Sequence, residues 1–249
     1  MPLLTGLGLA CLGCGGGGGP GAASAAPATA RTPRQLVLVY DRSTSITGGE
    51  LHLYQRLTDQ VLDFLDHGDR VAALEMLQLS LEEVPRRWAQ RVPDREFQGS
   101  AMERDAENRR RFLRDVRDYL NAYTDREGRD NYLGTDILST LHDVAAEVRG
   151  FPDHRTTVVL FSDMLQATPE INMEDMIRMP PPEWVAEHAA AGRLSDFSGA
   201  CIVVAGARTD TVEGQRVKAF WQEYFAATGA TLLEHNYAYR PVRIPQDPC

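Results

Sequence analysis

The fold of this 249-residue chain is decided by the stretch QLVLVYDRSTS, residues 35–45. Its first six residues are almost all apolar, which predicts a strand that is covered on both faces, as in a parallel sheet. The polar residues that follow begin at Asp41. They lie at the carboxyl end of the predicted strand, where open parallel sheets bind their ligands. One short stretch therefore predicts both a buried strand and a candidate site.

Strand and helix patterns alternate along the rest of the chain. Strands are predicted at residues 35–40, 70–79, 155–161, 200–205 and 230–233, and helices at residues 50–67, 100–123, 135–148, 183–191 and 212–228. The stretch 80–92 is ambiguous and is compatible with an antiparallel edge strand. Such alternation predicts an α/β fold, because right-handed crossovers place successive strands side by side. We expect a doubly wound, mostly parallel central sheet with helices on both faces and one antiparallel edge strand.

The N-terminal region differs from this pattern and predicts a four-part organisation. Residues 1–14 are apolar and small and include Cys11 and Cys14, which resembles a bacterial lipoprotein signal. Cys14 is the preferred lipid acceptor because Gly13 precedes it and a glycine run follows, and Cys11 is the alternative. Residues 15–34 form a Gly/Ala/Pro-rich, disordered linker, followed by a domain at 35–240 and a tail at 241–249.

This organisation predicts where the protein is located. A lipid-anchored chain would face the periplasm or the cell surface at the bacterial envelope. The alternative is an N-terminus that is neither cleaved nor lipidated and stays disordered.

Charge and composition exclude several function classes. The formal net charge of -9 argues against a protein that binds nucleic acid through electrostatic attraction. After the N-terminal segment, no window of about 18 apolar residues predicts a transmembrane helix, so any membrane contact is expected only through the lipid anchor. Cys201 lies in an apolar run and Cys249 ends the chain. The two could pair in an oxidising compartment, but we expect no essential disulfide.

Polar oxygen groups recur at the predicted strand ends and helix entry. Asp41, Ser43 and Ser45 follow the first strand, Thr135 precedes a helix, and Asp163 ends the strand 155–161. Carboxylates and hydroxyls offer only oxygen ligands, which suit a hard cation such as Mg²⁺, with Mn²⁺ or Ca²⁺ as alternatives. The adjacent Asp136 is interpreted instead as a first-turn helix acid favoured by the helix dipole.

The order Asp-x-Ser-x-Ser, then Thr, then Asp, on three successive loops, resembles the von Willebrand factor A domain and its metal-ion-dependent adhesion site. The resemblance covers residues 35–236. It implies that the two serines and the threonine bind the ion directly or through water, and that the aspartates bind it directly or hold its waters. One coordination position would be left for an acidic group of a partner. The sequence departs from the family at Thr44 and Met164, where glycine is common.

The function predicted from this resemblance is a metal-dependent protein-binding module, not an enzyme. Its partner is expected to be a protein that offers a carboxylate to the bound ion. The main alternative is a metal-free scaffold that docks partners through the helix at 100–123 or the Met-rich stretch 173–179. A phosphoester hydrolase of the haloacid dehalogenase type is less favoured, because it needs a second aspartate where this chain has Ser43.

Overall fold

The strand predicted at residues 35–40 lies at the centre of a six-stranded sheet. The computed structural model describes residues 31–43, 45–78, 87–95, 100–124, 134–241, 244 and 249. The strands are β1 (Arg34–Tyr40), β2 (Arg70–Glu75), β3 (Leu77–Gln78), β4 (Arg87–Arg91), β5 (Thr135–Asp136), β6 (Arg155–Phe161), β7 (Cys201–Ala205) and β8 (Tyr237–Ala238). The helices are α1 (Gly48–Leu62), α2 (Ser100–Thr124), α3 (Ile137–Arg149), α4 (Trp184–Ala190) and α5 (Val212–Ala227).

The order of the main sheet is β4-β2-β1-β6-β7-β8. Every neighbouring pair in this sheet is parallel except β2 and β4, which are antiparallel. The predicted fold class, including its antiparallel edge strand, is therefore confirmed. The chain leaves β1 towards β2 on one side and later adds β6 and β7 on the other. The strand order thus reverses between β1 and β6, where doubly wound sheets open a crevice at their carboxyl ends.

The sheet separates two hydrophobic cores. Successive side chains of β1 alternate between them: Leu36, Leu38 and Tyr40 pack with α1 and α2, whereas Val37 and Val39 pack with α3 and α5. This alternation follows from the two-residue period of a strand. Helices therefore cover both faces of the sheet, which explains why residues 36–40 are apolar without interruption.

Two helices that begin beside the carboxyl ends of the strands have well-formed N-terminal caps. In α1, the Thr47 side chain accepts from the Glu50 amide and the Glu50 carboxylate accepts from the Thr47 amide at 2.7 Å, which completes a capping box. In α3, the Asp136 side chain caps the helix by accepting from the Ser139 amide. Asp136 is therefore a cap and not the first-turn acid that we predicted.

The predicted helix at 50–67 is shorter in the structure and ends at Leu62. The Asp69 carboxylate accounts for this early end. It accepts from the backbone amide of Asp66 at 2.8 Å and from that of Arg34 at 2.7 Å, which holds the chain in a turn before β2. The remainder of the predicted helix thus becomes the connection to the next strand.

The last predicted strand, at residues 230–233, is wrong. Only Thr231 forms a bridge there, with Cys201, before a 3₁₀ turn at Glu234–Asn236 interrupts the chain. The pairing along β7 resumes with Tyr237–Ala238. The strand predicted at residues 70–79 also breaks, because Met76 separates β2 from β3.

The structure decides the pairing of Cys201 and Cys249, which the sequence left open and for which no essential disulfide was expected. The two form a disulfide, with their Cα atoms 5.7 Å apart. Nearby, Ile244 is buried in the core. These contacts attach the described residues of the C-terminal stretch to the domain. In the portion of the chain that the structure describes, no helix is long and apolar enough to cross a membrane.

The end of the sheet where the parallel strands begin, here called the amino edge, carries matched buried charges. Asp69 is fully buried and pairs with Arg34, whose Nε lies 3.2 Å from Oδ2. Glu147 is buried near the end of α3 and pairs with Arg70, whose Nη2 lies 2.9 Å from Oε1, and with Arg87. Asp69 and Glu147 are therefore both matched by arginine.

Candidate metal site

Asp41 lies at the opposite end of the sheet, here called the carboxyl edge, directly after β1. Its backbone amide donates to the Phe161 carbonyl of β6 at 2.9 Å, which continues the ladder between the two central strands. The side chain is fully buried. Its Oδ1 accepts from the Ser43 amide at 2.8 Å, and its Oδ2 accepts from the Ser162 hydroxyl at 2.7 Å. Both carboxylate oxygens are thus fixed in direction by neighbours on two strands.

Ser43 and Ser45 meet in the turn after β1. Their hydroxyl oxygens lie 2.8 Å apart, so one of them donates to the other. The amide of Ile46 donates to the Ser43 carbonyl at 3.1 Å and closes the turn. The alternate spacing predicted from the sequence therefore brings the two hydroxyls to the same side. Thr44, the departure between them, lies outside the described residues.

Asp163 is the second residue after β6, one position beyond Ser162. It is buried, and its Oδ1 accepts from the Leu165 amide at 3.1 Å. Its Oδ2 is also buried and has no hydrogen-bond partner among the described residues. A buried carboxylate oxygen without a partner carries a desolvation cost, so this atom is where a ligand would be accommodated most favourably.

Burial raises the pKa of both carboxyl groups. At Asp163, burial and then the charge of Asp41 together raise the pKa to about 6, against the opposing effects of the Leu165 amide, the Ser45 hydroxyl and the positive charge of Arg208. At Asp41, burial raises the pKa against the opposing effect of its hydrogen bonds. Both carboxyl groups therefore lie where their charged form is disfavoured, and Arg208 offsets this at Asp163 only in part.

Thr135 contacts the segment that follows Asp163 through its backbone. It is buried in the short strand β5, and its carbonyl accepts from the Ala167 amide at 2.9 Å. Ala167 lies four residues after Asp163, so Thr135 contacts the segment that leaves the second acid. Within the described part of the chain, no hydrogen bond joins the Thr135 hydroxyl to Asp41, Ser43, Ser45 or Asp163.

Met164 has the backbone conformation that glycine favours. Its φ is 65°, which is unusual for a residue with a side chain and costs on the order of 1 kcal/mol. The Ser162 hydroxyl accepts from its amide at 2.9 Å, and its carbonyl accepts from Trp221 Nε1 at 2.8 Å. These bonds hold the turn that carries Asp163. The turn geometry is thus kept although glycine is absent.

Several site residues were missed by sequence reasoning. Ser162 bridges the two acid-bearing turns, because its hydroxyl donates to Asp41 and accepts from Met164. The Gln166 side chain accepts from the Ile137 amide at 2.7 Å and donates to the Asp136 carboxylate at 3.1 Å, which ties the Asp163 segment to α3. A hydroxyl directly before a strand-end aspartate could have indicated Ser162, but nothing local indicates Gln166.

The side chains of the candidate site offer oxygen atoms as metal ligands. In the described ranges, no group of three or more His, Cys, Asp or Glu side chains converges as a metal cluster. The candidate site instead combines two carboxylates with the hydroxyls of Ser43 and Ser45. Few charges and several hydroxyls suit a hard cation that keeps part of its water shell. The partnerless Oδ2 of Asp163 is compatible with such an ion, so the residues present fit the group.

The comparisons with known proteins add little to this geometry. A scan against models of known protein families finds no match for the sequence, and a search of curated proteins finds none either. Among solved structures, the chain is similar to the TFIIH p34 N-terminal domain, at 12% sequence identity and a TM-score of 0.30. The match covers 84% of this chain and 92% of that chain. A likeness at this level identifies neither a family nor a function.

Proposed function

We propose that this protein is a binding module that holds an acidic group of a protein partner through a divalent cation at the carboxyl edge. The observation that carries the proposal is the pair of buried carboxylates, Asp41 and Asp163, whose burial the charge of Arg208 offsets only in part at Asp163. No arginine or lysine among the described residues forms an ion pair with either of them. A cation would supply the missing charge, and Mg²⁺ is the best match to carboxylate and hydroxyl oxygens.

Each residue has a distinct part in this proposal. Ser43 and Ser45 would contribute their hydroxyl oxygens to the ion, and Asp163 would turn its partnerless Oδ2 towards it. Asp41 would orient the turn and the ion's waters, because both of its oxygens already accept hydrogen bonds. Thr135 is the fifth ligand that the resemblance implies. When bound, the ion supplies a positive site that attracts a carboxylate of the partner.

The experiment that tests this function compares the wild-type protein with Asp41→Ala. Calorimetric titration with MgCl2 should show saturable binding to the wild type and none to the variant. Immobilised wild-type protein should then capture a protein from envelope extracts in Mg²⁺ and release it in EDTA. Binding of Mg²⁺ and capture that are both unchanged in Asp41→Ala would refute the proposal.

Attachment to the bacterial envelope is the second part of the proposal. Cys14, or alternatively Cys11, would carry the lipid, and both lie outside the described residues. The Cys201–Cys249 disulfide supports this location independently, because disulfides persist in oxidising compartments and are rare in the cytosol. Metabolic labelling with a fatty-acid analogue should mark the wild type and leave a Cys11→Ser, Cys14→Ser double variant unmarked. Equal labelling of both would contradict the anchor.

A metal-free scaffold stays the alternative, and one exposed side chain favours it. Ile177 lies in the Met-rich stretch 173–179 and is 92% exposed, and with its apolar neighbours it would offer a partner a small apolar patch. Its surroundings include Met179, Pro180 and Trp184, which line a shallow groove. If Ile177→Ser abolishes partner capture while EDTA does not, the scaffold replaces the metal-dependent module.

A further inference from the structure

Tyr54 places a buried hydroxyl beside the two acids. It lies on α1 one turn after Glu50, so the two side chains share the buried face of the helix. The tyrosine is fully buried, and its ring packs 5.2 Å from that of Phe161, the last residue of β6. The helix therefore directs the phenol towards the strand ends that carry Asp41 and Asp163.

The position of the hydroxyl is defined by Gly206, which directly follows β7. A Cβ atom added to Gly206 would lie 2.3 Å from the Tyr54 hydroxyl oxygen and 2.8 Å from the Ser162 carbonyl oxygen. The absence of a side chain at Gly206 therefore leaves the space that the phenol oxygen occupies. That oxygen sits next to the peptide bond that leads into Asp163.

The Tyr54 hydroxyl has no hydrogen-bond partner among the described residues. Burying a hydroxyl without a partner is unfavourable, and it is more so for a group that can both donate and accept. The charges of Asp41, Asp163 and Glu50 add to burial in raising the pKa of Tyr54, so the phenol stays protonated and faces negative charge. The Tyr54 hydroxyl and the Oδ2 of Asp163 thus both lack a partner among the described residues, although the charge of Asp163 acts on the phenol.

We propose that Tyr54 is a positioning residue of the candidate metal site, whose phenol hydroxyl orients a water ligand of the bound cation beside Asp163. This inference rests on the proposed function. Mg²⁺ retains several waters, and each water needs hydrogen-bond partners in a buried site. A hydroxyl that is unsatisfied without the ion gains a partner when the hydrated ion binds. Groups that orient metal ligands in this way usually affect metal affinity by about 10- to 100-fold.

The test is Tyr54→Phe, which removes only the hydroxyl. Calorimetric titration of the full-length protein with MgCl2 should show affinity about 10-fold weaker than that of the wild type. In EDTA, the Tm of the variant should equal or exceed the wild-type value, because a partnerless hydroxyl is gone. Tyr224→Phe is the matched control: Tyr224 is a buried tyrosine of α5, and its hydroxyl bonds to Ser195. Its affinity for Mg²⁺ should stay within about twofold of the wild-type value, since an unperturbed site keeps its ligands.

The outcomes separate this inference from the proposed function. If the wild type binds Mg²⁺ and Tyr54→Phe binds it equally well, the role of Tyr54 is refuted while the metal site stands. A lower Tm of Tyr54→Phe in EDTA would indicate a structural hydroxyl and would also refute the role. If the wild type itself binds no Mg²⁺, both proposals fail together.

Discussion

The two edges of the sheet differ in whether their buried carboxylates form ion pairs with arginine. At the amino edge, Asp69 and Glu147 are buried against arginines, and a disulfide joins the start of β7 to Cys249. At the carboxyl edge, Asp41 and Asp163 are as deeply buried but form no ion pair among the described residues. A fold that can match buried acids with arginine at one edge leaves them unmatched at the other. The proposed cation at the carboxyl edge would account for this difference between the two edges.

The largest expected effect on stability comes from removing the Cys201–Cys249 disulfide at the amino edge. The disulfide spans 48 residues, and in the chain-entropy model a loop of this length contributes about 4 kcal/mol to the free energy of unfolding. Cys249→Ser should lose this amount in urea unfolding, and the wild type in reducing agent should lose the same. Reducing agent should have no effect on the variant. Equal stability of the oxidised and reduced wild type would show that the link does not stabilise this edge.

Removing an acid from the amino edge should be nearly as costly. Glu147→Gln leaves Arg70 and Arg87 without their buried counter-charge, so the free energy of unfolding should fall by about 3 kcal/mol. Glu107→Gln is the control, because Glu107 pairs with Arg110 on the exposed surface of α2 and should cause no measurable change. If both variants unfold at the same urea concentration, the amino edge does not depend on matched charges.

The carboxyl edge should respond to pH with a characteristic sign when metal is absent. The pKa of Asp163 is about 6 in the folded protein and 3.8 for the free side chain, so between these values the native state binds more protons than the unfolded state. The stability that comes from the raised pKa is therefore fully present below about pH 4 and is lost as the pH rises through about 6, an effect of about 2 to 3 kcal/mol. Urea unfolding in EDTA at several pH values measures it. The prediction would be contradicted if the free energy of unfolding rose as the pH increased over this interval, and rose equally in Asp163→Asn.

The smallest expected effect is a gain in stability on removing an acid from the carboxyl edge. Asp163→Asn in EDTA at pH 7 should raise the free energy of unfolding by about 1 kcal/mol, because the buried charge is gone but the new amide also lacks a partner. The same variant should lose any increase of Tm caused by Mg²⁺. The exposed Asp196→Asn serves as the control and should keep that increase. If Asp163→Asn were instead strongly destabilised, Asp163 would be a residue that the fold itself requires.

Much of this contrast was predictable from the sequence at the central strands. The apolar run at 36–40 and the strand-end positions of Asp41 and Asp163 are local features, and the parallel pairing of β1 with β6 brings the two strand ends to the same edge. The antiparallel edge was predicted as well. These features depend on period and residue type, which a single sequence displays directly.

The remaining features depend on contacts between distant segments. Strand β8 has two residues, too few to show a period, so the neighbouring apolar stretch at 230–233 was selected instead. Tyr54 lies within the helix predicted at residues 50–67, but its partnerless hydroxyl becomes evident only beside Gly206. The pairing of Cys201 with Cys249 likewise requires the fold of the intervening residues.

The most direct test of the central claim is the thermal unfolding of the wild-type protein in EDTA and in increasing MgCl2 at pH 7.5. A cation that completes the carboxyl edge binds the folded state and not the unfolded one, so the Tm should rise with the Mg²⁺ concentration. The rise should diminish as the pH falls below about 6, because protons then compete for Asp163. A Tm that is the same with and without Mg²⁺ at pH 7.5 would contradict the account.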